Sequence, residues 1–323
     1  MADSEKSSSI KYLTDVGNSI SLIDTGLLGE SMVGCYLIEA QDELAIIETG
    51  NYLTVDRIIH VLEQKNLTCE QVKYVIATHI HLDHVGGASS LLKKLPNATL
   101  LIHPSGLKHM LNPEHLISAA TKVYGEQRFN AMYSDITPIE ESRVVAVEDQ
   151  AVFKIGSRAL HFYHTPGHAY HHFCVWDPLD ESWFTGDTFG VCYNSLKCSP
   201  RPLLIPTTTP TQFDPEALIQ SVNLMLSKKP RRMLLTHFGE LEVTEDMGTW
   251  LIDQIKDYVS LTKEHGPELK DYHDLKSILL QYTSELAKKH KLDIKLNELQ
   301  QIIAMDLELN SQGLFYWYQK HHA

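Results

Sequence analysis

Seven residues constrain this chain more than any other stretch: Thr78-His79-Ile80-His81-Leu82-Asp83-His84. Four potential metal ligands fall within six positions, directly after the apolar run Val72-Lys73-Tyr74-Val75-Ile76-Ala77. Histidine and aspartate are poor strand and core residues, and burying them unpaired is costly. Crowded imidazoles repel when protonated, but they are good ligands when neutral. The bland alternative is a polar loop that happens to follow a strand. The density of ligand atoms favours a metal site.

The rest of the chain supplies context for that stretch. At 323 residues it can hold one large domain, or a core domain with an appendage. Hydrophobic residues make up 43% and charged residues 21%, as in an ordinary globular protein. The formal net charge of −13 argues against a nucleic-acid binder, which would carry a basic patch. The five cysteines are scattered and form no Cys-x-x-Cys pair, so reduced thiols and a cytoplasmic setting are expected. Cys192 and Cys198 are read as structural thiols. Residues 1–9 are polar and read as a disordered leader without a secretory signal. No apolar run reaches membrane-spanning length, so no membrane partner is expected.

Periodicity places strands at Ile20–Ile23, Val33–Ile38, Leu44–Ile47, Val72–Ala77 and Leu100–Ile102. More follow at Val144–Val147, Val152–Ile155, Leu160–Tyr163, Phe173–Trp176, Trp183-Phe184 and Met233–Leu235. Helices are expected at Asp56–Gln64, after Gly86-Gly87, and at Pro215–Ser227 with Asp214 as its N-cap. Residues 104–132 read as an irregular helical insertion over the site, and 188–213 as a long loop without periodicity. The domain core is taken as 10–243, and 244–323 as a helical C-terminal region. Helices there are expected at Trp250–Lys263, His273–His290 and Asn297–Leu309. The aromatic end Phe315-Tyr316-Trp317-Tyr318 either docks on the core or makes a homodimer contact; docking is preferred.

Three further segments end a strand with a ligand type: His164-Thr165-Pro166-Gly167-His168, Thr185-Gly186-Asp187 and Thr236-His237. With His79-x-His81-x-Asp83-His84, these segments resemble the metallo-β-lactamase superfamily, in the family's order, over residues from about 15 to 245. Thr-Pro-Gly-His and Phe-Thr-Gly-Asp-Thr look most like its glyoxalase II (hydroxyacylglutathione hydrolase) branch. The resemblance implies an α/β fold, an αββα sandwich with a helical C-terminal extension and the site on its upper edge. It also implies roles. His79, His81 and His168 would hold one metal; Asp83, His84 and His237 the second; Asp187 would bridge them. Glu48-Thr49-Gly50 stands where the family commonly has Asp-Thr-Gly, in a position that supports the ligand loops.

The expected chemistry is hydrolysis. A water between two divalent ions ionises near neutral pH and attacks a carbonyl or phosphoryl centre, with no serine or cysteine nucleophile. Asp83 would orient that water or accept its proton. Zinc is the first choice of metal, with iron or manganese open on ligand hardness. A small ester, thioester or lactone is the leading substrate. A persulfide dioxygenase-like iron enzyme and a small phosphodiester hydrolase are the alternatives; a non-catalytic protein retaining the fold is a third. Flavodiiron proteins commonly carry glutamate where His81 stands. His172, Tyr193 and Arg201 are candidate substrate contacts, and His171 is weighed beside His172. His164 is read as structural.

Overall fold

The structure is a computed structural model that describes residues 10–197 and 201–322. The expected leader at 1–9 and Cys198 lie outside the described residues. Among those described, the strands form two sheets. The first follows chain order: β1 (Leu13–Gly17), β2 (Ile20–Asp24), β3 (Gly34–Ala40), β4 (Glu43–Ile47), β5 (Val72–Ile76), β6 (Thr99–Ile102) and β7 (Val144–Ala146). Strands β1 to β4 pair antiparallel, and β4 to β7 run parallel. The parallel part needs crossovers. These are α1 (Thr54–Gln64), the short α2 (Leu82–Val85) with α3 (Ala88–Lys94), and the insertion α4 (Leu107–Leu111), α5 (Glu114–Tyr124) and α6 (Glu126–Tyr133).

The second sheet contains β8 (Val152–Ile155), β9 (Arg158–His164), β10 (Phe173–Asp177), β11 (Ser182–Phe184), β12 (Arg232–Leu235) and β13 (Gly239–Glu242), in the order β13-β12-β11-β10-β9-β8. Only β11 and β12 pair in parallel, across α7 (Pro215–Ser227). The α7 start is as expected: Asp214 Oδ1 accepts from the Ala217 N–H at 3.0 Å, and Pro215 needs no partner for an N–H it lacks.

Strand periodicity sorts the first sheet's side chains to two faces. Ile20, Leu22, Tyr36, Ile38, Ala45, Ile47 and Leu101 face the second sheet and pack on Phe162, Phe173, Val175 and Phe184. Ile23, Leu37, Ile46, Val75 and Leu100 face out and are covered by Val55, Ile58, Leu62, Leu91 and Leu92 of α1 and α3. Each such fully buried side chain contributes about 1.5–3 kcal/mol. On the far side of the second sheet, Trp183 donates its indole N–H to the Met225 carbonyl of α7 at 3.0 Å. The layers are therefore helix, sheet, sheet, helix.

The C-terminal helices are α8 (Met247–His265), α9 (Tyr272–Lys289), α10 (Leu296–Ile302) and α11 (Ala304–His322). Leu251, Ile255, Leu275, Leu279, Leu307 and Leu314 belong to the same apolar cluster as the second sheet. The helix expected at 297–309 is two helices, and the second continues to His322. The aromatic end lies on it, and Trp317 is buried against the core. Gly313 does not break α11. A Cβ there would stand 2.9 Å from the Thr209 backbone, so glycine permits a close approach. Two strands went unpredicted, β1 and β13. Both are sheet edges with half-exposed, charged sequences that carry little apolar alternation.

Candidate metal centre

The ligand residues sit where strands stop. β5 ends at Ile76, and the bent segment 78–81 that follows it carries His79 and His81 into α2. α2 then turns the chain within four residues and carries Asp83 and His84. From the second sheet, His168 follows β9, Asp187 follows β11 and His237 follows β12. Strand pairing makes these three tips near neighbours along one edge.

The side chains converge. His79, His81 and His168 offer ligand atoms that all lie within 4.8 Å of one another, and so do Asp83, His84 and His237. His79 Nε2 is 2.8 Å from His81 Nδ1, and His168 Nε2 is 3.1 Å from the same atom. His237 Nε2 is 3.3 Å from Asp83 Oδ2. Asp187 joins the two groups. Its Oδ2 lies 3.4 Å from His168 Nε2, while its Oδ1 lies 3.2 Å from His84 Nε2 and 3.4 Å from His237 Nε2. A third grouping, His79, His84 and Asp187, bridges the halves.

Three of the five imidazoles are held from behind, His168 and His237 by hydrogen bonds and His84 by a carboxylate contact. Thr207 donates its hydroxyl to the Asp187 carbonyl at 2.8 Å, so its oxygen accepts from His168 Nδ1 at 2.9 Å. His237 Nδ1 donates to the Met32 carbonyl at 2.9 Å. His84 Nδ1 lies 3.0 Å from Glu48 Oε1. Glu48 also accepts from the Thr78 hydroxyl at 2.6 Å and the Thr236 hydroxyl at 3.3 Å, tying two ligand loops together. It is fully buried at φ +67°, a strained conformation for a side-chain-bearing residue. Every Nε2 of these oriented rings is turned toward the cluster, as metal-binding histidines require.

Two buried atoms test whether cations fit. His84 Nε2 and Asp187 Oδ1 have no hydrogen-bond partner, although they face one another at 3.2 Å off the line such a bond needs. Buried polar atoms are ordinarily satisfied. Imidazole nitrogens and carboxylate oxygens with unshared lone pairs suit divalent zinc, iron or manganese.

Charge divides the cluster. Burial, then the neighbouring imidazoles, hold His79 well below its ordinary pKa. Burial likewise lowers His81 to about 3 and His168 to about 4, so this half stays neutral. Burial would also lower His84 and His237. Glu48, Asp83 and Asp187 outweigh it, raising His84 well above its ordinary value, and Asp187 and Asp83 raise His237 to about 9. Burial would raise Asp83 and Asp187, but the adjacent histidines hold both below the usual carboxylate range.

The three candidate substrate contacts need correction. His172 is fully buried beneath the cluster: its Nδ1 meets the Thr165 hydroxyl at 3.0 Å, and its Nε2 accepts from the Asp187 N–H at 3.2 Å. It fixes the Asp187 loop and has no face left for substrate. Gly186 makes room for it, because a Cβ at φ +46° would stand 2.5 Å from His172 Nε2. Tyr193 donates its hydroxyl to the Asp306 carboxylate at 3.1 Å, so it fastens α11 rather than presenting a free donor. Arg201 lies with its guanidinium 4.9 Å from the Trp250 ring of α8, outside the cluster. His171 is the histidine beside the ligands, its ring 5.4 Å from His81 and its Nδ1 buried without a partner. His164 is structural, with Nε2 donating to the Val147 carbonyl at 2.9 Å.

Sequence reasoning placed one support, Glu48, and missed two others. Met32 acts through a backbone carbonyl, which no residue pattern reveals. Thr207 lies in the aperiodic loop. That loop is itself held by α11: Asn310 accepts from the Thr208 N–H at 2.7 Å and donates to the Pro206 carbonyl at 2.9 Å.

Known proteins share these features. The profile of the metallo-beta-lactamase superfamily matches residues 28–237, which contain all seven ligand candidates. The metallo-beta-lactamase fold-containing protein ST1585 of Sulfurisphaera tokodaii is 30% identical over 175 residues, covering 53% of this chain and 62% of that protein. An atrochrysone carboxyl ACP thioesterase of Aspergillus chevalieri is 28% identical over 154 residues, covering 47% of this chain and 38% of that one. The chain thus spans less than two thirds of the length of these relatives. A crystal structure of ST1585 from Sulfolobus tokodaii superposes with a TM-score of 0.61 at 21% identity, covering 88% of this chain and 93% of that one. At that identity the likeness is one of fold. The matched segment begins in the loop that carries Met32 and ends on His237, so profile and ligand edge coincide: the chain belongs to the metallo-β-lactamase superfamily.

Proposed function

We propose that this protein is a metal-dependent hydrolase of small esters, thioesters or lactones, built on a dinuclear centre. The observation that carries the proposal is Asp187, whose two oxygens face different groups of histidines at 3.2–3.4 Å. A single ion would leave one of these groups unused. His79, His81 and His168 would hold one ion, Asp83, His84 and His237 the other, and Asp187 would bridge. Ions bound there would supply Lewis acidity and a water acidified to near neutral pH.

The protein groups do the rest. Thr207, Glu48 and the Met32 carbonyl hold the rings in ligand orientation. Asp83 sits at the open side with 17% of its side chain exposed, and we assign it the proton of the attacking water. His171 flanks the His81 side, where a leaving group would depart. Zinc is our first choice of metal. Thr165-Pro166-Gly167-His168 and Phe184-Thr185-Gly186-Asp187-Thr188 support a glyoxalase II-like reading, and the relative named as a thioesterase supports thioesters. A cytoplasmic setting fits Cys35, Cys69, Cys174 and Cys192, which form no disulfide. No helix among the described residues is long and apolar enough to cross a membrane.

The test is turnover by metal-loaded protein on a panel of esters, thioesters and lactones, beside His84→Ala and His237→Ala. We expect cleavage that both substitutions abolish. Cleavage indifferent to them would overturn the reading. Oxygen consumption with glutathione persulfide after iron loading would move it to redox chemistry.

A further inference from the structure

A cleft of about 480 Å³ opens between the insertion helices and α11. That is within the usual range for small-molecule pockets, roughly 300–1,000 Å³. Val123, Tyr124 and Arg128 form one wall, where α5 meets α6. Met305 and Leu309 of α11 form the other. Leu28 and Met32 close the third side.

The inner end of the cleft reaches the ligand loops from two directions. Met32 is the residue whose carbonyl accepts from His237. Tyr124 packs on Tyr133 with ring centroids 5.7 Å apart. Tyr133 in turn lies against Gly86, just after Asp83-His84, with its ring carbon 3.1 Å from where a Cβ would stand. The cleft therefore backs onto the half of the cluster formed by Asp83, His84 and His237.

Its lining is mixed, with Leu28, Met32, Val123, Ile302, Met305 and Leu309 as the apolar part. Leu28 is 37% exposed and Val123 47%, large side chains left in water on facing walls. Two charged residues line it, Arg128 and Glu308. Glu308 is already engaged at both oxygens, by Lys276 at 2.5 Å and by Gln312 at 2.7 Å. Arg128 has its guanidinium 3.9 Å from the Met305 sulfur and 5.9 Å from the Tyr124 ring, and no carboxylate within ion-pair distance among the described residues. In a chain of net charge −13, that leaves one cation without an ion-pair partner in the cleft lining.

We propose that this cleft is the acyl pocket of the hydrolase, and that it takes an extended apolar acyl group whose far end carries a carboxylate bound by Arg128. The proposal rests on the hydrolase reading above. The scissile carbonyl would lie at the Asp83 and His237 end, and the chain would run between Val123 and Leu309. The planar guanidinium fork matches a carboxylate in two-point geometry. Hydrolysis adds water across the C–S or C–O bond and gives a dicarboxylic acid and a thiol or alcohol.

The experiment is calorimetric binding of octanedioate and octanoate to the metal-loaded full chain, followed by turnover of the matching thioesters. Both acids carry one carboxylate for the metals, so their difference isolates the distal one. We expect octanedioate to bind about tenfold tighter, the scale of one charge-assisted hydrogen bond. Arg128→Gln should collapse that ratio, and Leu309→Trp should weaken both acids. Equal binding of the two acids, or a ratio that survives Arg128→Gln, overturns the proposal. A binding ratio lost in Arg128→Gln without thioester cleavage at any length would sustain the cleft and sink the hydrolase reading. Cleavage of short acyl thioesters without chain-length or anion preference would do the reverse.

Discussion

The two ends of the second sheet both bury charge, and they resolve it differently. At the base, where β9 and β12 begin and β10 ends, arginines meet carboxylates. Arg158 Nε donates to Asp177 at 2.8 Å, and Arg232 Nε to Asp180 at 2.8 Å, with Glu240 a further 2.6 Å from Arg232. Each charge has an opposite charge from the protein itself; even Arg232 Nη2, which lacks a hydrogen-bond partner, lies 2.7 Å from Asp180. At the upper edge, where β9, β11 and β12 end, Asp83 and Asp187 face imidazoles, and among the described residues no arginine or lysine forms an ion pair with either. There His84 Nε2 and Asp187 Oδ1 stay without hydrogen-bond partners. The base is closed electrostatics that holds the sandwich together. The edge is open electrostatics that a cation completes.

That contrast can be broken by substitution. Asp187→Asn should lower kcat/KM by about 10³-fold or more and take the metal content below two equivalents. Asp177→Asn leaves Arg158 buried and unpaired, so it should destabilise the fold by about 3–5 kcal/mol in urea denaturation without altering metal content. If Asp177→Asn stripped the metal, or Asp187→Asn merely unfolded the chain, the division between the two ends would fail.

Smaller effects sharpen the comparison. Asn310→Ala should weaken metal binding about tenfold in chelator competition, because it frees the loop whose Thr207 orients His168. Thr207→Val should do the same, with little change in the melting temperature of chelated protein. The smallest effect concerns Asp306, which burial raises to about 6; His237 and Tyr193 facing it lower it, and Asp187 raises it. Its folded pKa lies above its unfolded value of 3.8, so its contribution to stability is full below that value and lost as pH rises through about 6. Asp306→Asn should therefore raise the melting temperature by a few degrees at pH 8, and the gain should vanish near pH 4.

The open edge was legible in the sequence for a physical reason. His79, His81, Asp83, His84, His168, Asp187 and His237 each follow an apolar run with a residue that has no business in a core. The layered fold was legible too, because Val72–Ile76 and its neighbours are buried strands bounded by turns. Of what supports the edge, Glu48 was legible through its place in Glu48-Thr49-Gly50, and the rest was not. A carbonyl such as that of Met32 has no side-chain signature, and Thr207 is one threonine among three in a row. The C-terminal region read as an appendage because its helices are amphipathic and carry no motif. Only three-dimensional proximity shows Asn310 and Asp306 of α11 fastened to the loop behind His168 and to Tyr193. His172 misled for the opposite reason: its type and position suit a substrate contact, but Thr165 and the Asp187 N–H had already engaged both nitrogens.

The central claim is that the edge is two half-sites sharing Asp187. Elemental analysis of protein purified without added metal or chelator tests it most directly. The account predicts two equivalents of divalent metal per chain, falling to one in His237→Ala. A single equivalent in the active wild-type protein, unchanged in His237→Ala, would contradict it.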